Sequence, residues 1–359
     1  MDRCPEEVRG RETMQIERYQ VGREAPPLII AEMSGNHNQS LERALAIVDA
    51  IADSGAQVLK LQTYTADTMT LDLSEREFFI SDPQSLWKGN SLYDLYKAAH
   101  TPWDWHLPIF NRARARGLVA FSTPFDPTAV DFLESLKVPA YKIASFENTD
   151  VALIRKVAST GKPVIISTGM ATLAEIDEAV KAARESGCKD LILLKCTSSY
   201  PANPRSSNLA AIPSLRTMFD CEVGLSDHTQ GIGAAIASVA LGATVIEKHV
   251  TLSRAEGGVD SAFSLEPDEL ASLVTEPRVA WEALGSARIR RTDEELRSLV
   301  FRRSLYVCAD LNAGDVLTRQ NLRAIRPGFG LAPKFLGELI GKRVRSAVKR
   351  GTPMAWDLL

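Results

Sequence analysis

Cysteine is scarce in this chain of 359 residues. Its five cysteines, Cys4, Cys188, Cys196, Cys221 and Cys308, are scattered and form no CxxC pair. That excludes a disulfide framework and a Cys-rich zinc site, and it fits a reducing, cytoplasmic setting. Aromatic residues amount to 7%, and in the C-terminal region they are not interleaved with Lys and Arg as in an RNA-binding sheet, so no nucleic acid partner is expected. No apolar run approaches the roughly 18 residues that span a bilayer, so no membrane partner is expected either. The opening stretch MDRCPEEVRGRETMQIERYQ has no apolar h-region, which argues against a secretory signal. No glycine-rich dinucleotide loop follows the first apolar run; SGNHNQ (34–39) stands there instead. HExxH spacing is missing as well.

What is present is the balance of a soluble globular protein, with 45% hydrophobic and 24% charged residues. The length suits about two domains, or one large α/β barrel with a small appendage. A net charge of −3 conceals an asymmetry. Residues 286–359 hold 15 Lys/Arg against 7 Asp/Glu, whereas residues 1–285 hold 27 against 38. The basic tail is compatible with nucleic acid, an anionic substrate or an acidic docking partner, and composition does not choose among them.

Alternation is the strongest organising signal. Apolar, β-branched runs recur at 28–32, 58–62, 118–122, 141–145, 163–167, 191–196, 221–226 and 243–249, separated by stretches of helical period. SLERALAIVDAIADSG (40–55) places Leu41, Leu45, Val48 and Ala52 on one face, with Gly55 suited to the end of the helix. TLAEIDEAVKAARESG (172–187) opens on Thr172 with Glu175 three residues later, a capping-box pattern. Eight such units predict parallel strands closed into a (β/α)8 TIM barrel. Residues 63–101 are long for a βα loop; their aromatics Phe78, Phe79, Trp87, Tyr93 and Tyr96 are expected to pack over the barrel mouth. The expected division is a disordered extension over 1–14, a barrel over 15–285, a linker over 286–298 and a small β-rich domain over 299–359.

In such a barrel the catalytic face lies where the strands terminate. Charged and hydroxyl residues crowd those ends, including Glu32, His37, Lys60, Lys142, Glu147, Asp227, Glu247 and Lys248. Lys60 and Lys142 interrupt apolar strands, and Ser145, Ser167, Ser198 and Ser226 border the same opening. Ammonium and hydroxyl donors together suit phosphate and carboxylate oxygens; the alternative is that each lysine merely pairs with a barrel glutamate. His228 and His249 end adjacent strands, so their imidazoles are placed either to share one metal ion with open coordination positions or to serve structure alone. Glu32 is a candidate general acid/base, or else a plain salt-bridge partner.

These residues fall within ordered motifs: IIAEMSGNHNQS (29–40), LKLQTYTADT (59–68), FSTPFD (121–126), YKIASFEN (141–148), STGM (167–170), CTSSYP (196–201), GLSDHT (224–229), EKHVTL (247–252) and DSAFSLEPDEL (260–270). Together they resemble the sialic acid synthase family, which condenses phosphoenolpyruvate with an N-acetylated amino sugar. The tail from VFRRSLY through NLRAIRPGFGL resembles the antifreeze-like SAF domain that the family appends. Within the family the wording is most similar to the pseudaminic acid branch, whose sugar is 2,4-diacetamido-2,4,6-trideoxy-L-altrose. CTSSYP and IRPGFG depart from the CTNTYP and KRPGNG of the sialic and legionaminic branches, which are the alternative within the family.

The resemblance implies a metal pair at His228 and His249 with Mn²⁺ or Mg²⁺. It implies phosphoenolpyruvate contacts at Lys60, Lys142, Ser145, Ser167 and Ser226, with Ser198 standing where the sialic branch has Asn. It further implies an acid/base at Glu32, whether protonating the new alkoxide or orienting water. Sugar contacts are implied at Gln62, Tyr200 and Asp260. Arg326 would reach the neighbouring subunit's site, which implies a domain-swapped homodimer and gives the basic tail an acidic barrel to dock on. Two other classes remain open on the residues alone: a metal-dependent hydrolase on the same barrel, and a carbohydrate- or ice-binding protein.

Overall fold

A computed structural model describes residues 14–359. Cys4 and the first thirteen residues of the expected extension lie outside the described residues. Met14 begins β1 (Met14–Ile16), which pairs antiparallel with β2 (Tyr19–Val21). Ile16 and Val21 are buried in the core of the barrel that follows.

All eight apolar runs become strands: β3 (Leu28–Glu32), β4 (Val58–Thr63), β5 (Val119–Pro124), β6 (Tyr141–Ile143), β7 (Val164–Ser167), β8 (Leu191–Cys196), β9 (Glu222–Asp227) and β10 (Val245–His249). They are parallel and close in the order β10-β3-β4-β5-β6-β7-β8-β9. This is the (β/α)8 TIM barrel. Each strand is buried on both faces, inside by the barrel and outside by a helix, so the runs are apolar without alternation.

The crossover helices carry local start signals that agree with the barrel. Ser40 accepts from the Arg43 amide to open Leu41–Asp53, and Asp126 accepts from the Thr128 and Ala129 amides to open Pro127–Ser135. Thr172 and Glu175 form the anticipated capping box of Leu173–Glu185. The first helix differs in phase from the expectation. Ala44, Ile47, Val48 and Ile51 are its buried residues, while Leu41, Leu45 and Ala52 are only partly buried beside them. Small Ala44 lets that face approach the strands, and the leucines flank it. Gly55 follows with φ +82°, a left-handed conformation that glycine adopts without Cβ strain.

The chain divides into two compact units after Gly285. In the second, β11 (Ser304–Val307) pairs antiparallel with β12 (Leu322–Ile325). Leu305, Val307, Leu317, Leu322, Leu339 and Val344 are part of its own core. The segment expected to be a linker contains a helix, Asp293–Ser298, because Thr292 and Glu295 form a capping box there. Among the described residues, no helix is long and apolar enough to cross a membrane.

Candidate active site

Strand register gathers the polar residues at one level. His249 of β10 is opposite Glu32 of β3, Glu32 is opposite Lys60 of β4, and Glu247 is opposite Ser226 of β9. A cavity of about 270 Å³ opens at this C-terminal face. Lys60, Gln62, Lys142, Ser145, Ser167 and Ser226 line it, as do Tyr200, His228, His249 and Asp260. The structure therefore brings ten of the thirteen expected site residues to one surface.

Its floor is an ion cluster centred on Glu247. Glu247 Oε1 lies 3.1 Å from Lys142 Nζ, 3.5 Å from Lys60 Nζ and 3.5 Å from Ser226 Oγ. Lys60 also pairs with Glu32 and donates to Thr123 Oγ1 at 3.1 Å. Each lysine thus does pair with a barrel glutamate, and both still line the cavity. Burial raises the Glu247 pKa, but Lys142 and Lys60 outweigh it and hold the carboxyl below its ordinary range. Burial, reinforced by Glu247, raises Glu32 despite the neighbouring Lys60 ammonium. Burial also lowers Lys142, with Glu247 opposing it. Lys60 is raised, because Glu247 and Glu32 together overcome its desolvation.

Glu32 is fully buried and stands behind Lys60 rather than on the cavity surface. Ser198 is also off the lining, with Oγ 3.9 Å from Cys196 Sγ. Ser145 Oγ accepts from the Gly169 amide at 3.1 Å, and Ser167 Oγ is a buried lining hydroxyl with no hydrogen-bond partner in the protein. Ser122 is spent elsewhere, on Thr63 Oγ1 at 2.6 Å. Arg326 lies exposed one residue beyond β12 in the second unit.

The two expected metal histidines stack edge to face, ring centroids 5.3 Å apart. His228 Nδ1 is 3.1 Å from the Thr197 carbonyl; burial lowers its pKa, but Cys196 and that carbonyl outweigh burial and raise it. His249 Nδ1 is buried without a hydrogen-bond partner and sits 3.5 Å from Asp260 Oδ2. Burial, with His228 adding, holds His249 well below its ordinary value and therefore neutral. A neutral imidazole with an orphaned buried nitrogen fits a divalent ion. Among the described residues, no cluster of three or more His, Cys, Asp or Glu forms a metal-holding group.

Three strand-end residues turn out to serve the scaffold. His37 Nε2 bonds Thr101 Oγ1 at 3.2 Å and its ring packs on Trp105, anchoring the start of the helix Trp103–Ala115 rather than facing the cavity. Burial, with His100 and His106 adding, lowers it to about 4. Asp227 and Lys248 form a buried ion pair at 2.8 Å, and neither lines the cavity. They follow Ser226 and Glu247 by one residue, and strand alternation turns them to the other face.

Four lining or supporting residues were not singled out from the sequence as site members. Glu247 was visible as a charge at a strand end; its role as hub follows from Lys60 and Lys142, which are distant in sequence. Cys196 lines the cavity 3.8 Å from His228 Nδ1. Burial pushes its thiol up, but hydrogen bonding and charge from His228 outweigh that and bring it to about 7. Glu147 lines the cavity and is pushed up to about 7 by burial, against Lys142. Gly169 leaves room beside two hydroxyls: an added Cβ would stand 2.6 Å from Ser145 Oγ and closer still to Ser198 Oγ. Of the five aromatics expected over the mouth, Trp87 and Tyr96 line the cavity, and Phe78, Phe79 and Tyr93 do not.

A model of the NeuB family matches residues 47–289, and one of the SAF domain matches residues 302–359. The chain is 42% identical over 338 residues to the pseudaminic acid synthase of Campylobacter jejuni, covering 94% of this chain and 97% of that protein. It is also 42% identical over 333 residues to the pseudaminic acid synthase of Helicobacter pylori, covering 92% and 97%. Among solved structures, the N-acetylneuraminic acid synthetase of Leptospira borgpetersenii in complex with citrate matches with a TM-score of 0.72 at 32% identity. That match covers 80% of this chain and 95% of the other.

Proposed function

The chain belongs to the NeuB family and is a transferase-type synthase, and on that premise we propose that its reaction is that of the pseudaminic acid branch. Phosphoenolpyruvate condenses with 2,4-diacetamido-2,4,6-trideoxy-L-altrose to give pseudaminic acid and phosphate. The observation that carries this reading is the meeting of Lys60 and Lys142 on Glu247 at the same cavity that holds His228 and His249. Two lysine side chains converge on one cavity-facing carboxylate, and such donors suit the carboxylate and phosphate of phosphoenolpyruvate.

Each residue then has a definite task. Lys60 and Lys142 hold the anionic groups, with Ser145, Ser167 and Ser226 donating to their oxygens; Ser198, with Oγ 3.9 Å from Cys196 Sγ, supports them. His228 and His249 would hold a divalent ion, Mn²⁺ or Mg²⁺, whose chemistry when bound is to polarise a carbonyl as a Lewis acid. Gln62, Tyr200 and Asp260 orient the open-chain sugar so that its aldehyde carbon meets C3 of phosphoenolpyruvate. The new C–C bond leaves an alkoxide at the former aldehyde. Lys60 Nζ gives it a proton and is reprotonated by Glu32, whose position behind the lysine suits a relay. Attack by C3 leaves C2 electron-poor, so water adds there and returns a proton to Glu32; the C–O bond then breaks with its electron pair on phosphate, which takes the C2 hydroxyl proton as the ketone forms. Arg326 of the partner subunit would contact the sugar in a domain-swapped homodimer; Arg326→Ala should then raise the sugar KM while the fold stays intact.

The test is product analysis by mass spectrometry with phosphoenolpyruvate and a panel of acetamido sugars. The branch reading expects the diacetamido-trideoxy sugar to give product most efficiently. Preference for N-acetylmannosamine or for the legionaminic precursor would move the chain to a neighbouring branch. Phosphate release without any sugar would instead make it a hydrolase.

A further inference from the structure

The cavity has two chemically different halves. Its floor is the charged and hydroxyl cluster described above. Another part of its lining comes from the segment after β4: Met69, Ile80, Trp87, Leu92, Leu95 and Tyr96. The Trp87 Nε1–H is already donated to the Val259 carbonyl at 2.9 Å, and Ile80, Leu92 and Leu95 have no group to offer a sugar hydroxyl. A hydroxyl pressed against those three side chains loses water and gains no partner, whereas a methyl group loses nothing.

The wall's position relative to the reacting end decides which part of the sugar meets it. The Tyr200 ring lies 4.7 Å from the His228 ring and 5.8 Å from the Trp87 ring, tilted against each. The apolar wall therefore begins one ring beyond the histidine pair. With the aldehyde carbon C1 at the histidines and lysines, the remote end of a six-carbon chain is carried toward the wall. We propose that Ile80, Leu92 and Leu95 receive the C6 methyl of the sugar and make the enzyme select a 6-deoxy sugar over its 6-hydroxy counterpart. This rests on the synthase reading above and adds to it the residues that set substrate choice.

The experiment compares kcat/KM for 2,4-diacetamido-2,4,6-trideoxy-L-altrose and for the same sugar bearing a 6-hydroxyl, at saturating phosphoenolpyruvate. The unaltered enzyme should prefer the 6-deoxy sugar by on the order of 10²-fold, the scale at which an apolar pocket rejects an added hydroxyl. Leu95→Asn should cut that ratio about 10-fold, Leu95→Met should preserve it, and the KM for phosphoenolpyruvate should be the same in all three. Ile80→Thr carries the same expectation as Leu95→Asn if the latter does not fold. An unchanged ratio in the polar variants, with the 6-deoxy sugar still consumed, overturns this inference alone. No turnover of either sugar by the unaltered enzyme overturns the synthase reading and this inference with it.

Discussion

Lys142 Nζ lies 3.1 Å from Glu247 Oε1, and that same oxygen is 3.5 Å from Lys60 Nζ. Two lysines and a glutamate from three strands thus meet at one oxygen among buried groups, where a charge without a partner is costly. The arrangement is stable only as a set. It also explains how two buried lysines can remain available to an anion entering from the cavity side.

Removing the hub should therefore do more than remove a contact. Glu247→Ala leaves two buried ammoniums short of a carboxylate and should cost about 3–5 kcal/mol of stability, with loss of turnover. Urea unfolding and phosphate release measure the two effects. A stable, active Glu247→Ala enzyme would contradict the cluster.

The Asp227–Lys248 pair supplies the contrast, because it is equally buried but lies outside the cavity. Asp227→Asn should also cost about 3–5 kcal/mol. In the protein that remains folded, KM for phosphoenolpyruvate should be unchanged. A raised KM would bring this pair into the site.

Gly169→Ala should act on kinetics first. The added Cβ would displace the Ser145 and Ser198 hydroxyls, and kcat/KM for phosphoenolpyruvate should fall roughly 10- to 100-fold, the scale of a small misplacement in a positioned site. Steady-state kinetics at fixed sugar make the measurement, and unaltered kinetics would remove the Ser145 cup from the site.

Glu147 makes stability depend on pH. The native state binds its proton more tightly than the unfolded chain does, since burial raises the carboxyl from 4.5 to about 7. Its contribution is therefore intact below pH 4.5 and is lost as pH rises toward 7, by about 3 kcal/mol. Glu147→Gln removes that loss. Unfolding free energy measured at pH 5 and pH 8 should drop less in the variant, and equal drops would contradict the assignment.

The histidine pair predicts a metal requirement. Chelation should abolish phosphate release, and added Mn²⁺ should restore it. His228→Ala should weaken the Mn²⁺ response by more than the roughly 10–100-fold that changes to a ligand's supporting partners cost. Full activity in chelator would remove the metal from the account.

Much of this molecule is legible in its residues, and the gaps have physical causes. All eight strands show as apolar runs because both faces of a parallel barrel are buried. The Thr172–Glu175 box shows because capping is local chemistry. The phase of the first helix does not, since small Ala44 sits on its buried face while the larger Leu41 and Leu45 are only partly buried. His37 looks like a site residue until Thr101 and Trp105 come beside it. Glu247 and Lys248 are adjacent charges at one strand end, and only the register of β10 tells which one faces the cavity. Glu32 lies at the level of the site, yet its screening by Lys60 depends on a neighbouring strand.

The most direct test of the central claim follows the bridging oxygen. Phosphoenolpyruvate carrying heavy oxygen between C2 and phosphorus is incubated with the diacetamido-trideoxy sugar and Mn²⁺, and both products are weighed by mass spectrometry. The account predicts equal amounts of the nine-carbon acid and phosphate, with the label in the phosphate. Label retained in the organic product, or phosphate released without the sugar, would contradict it.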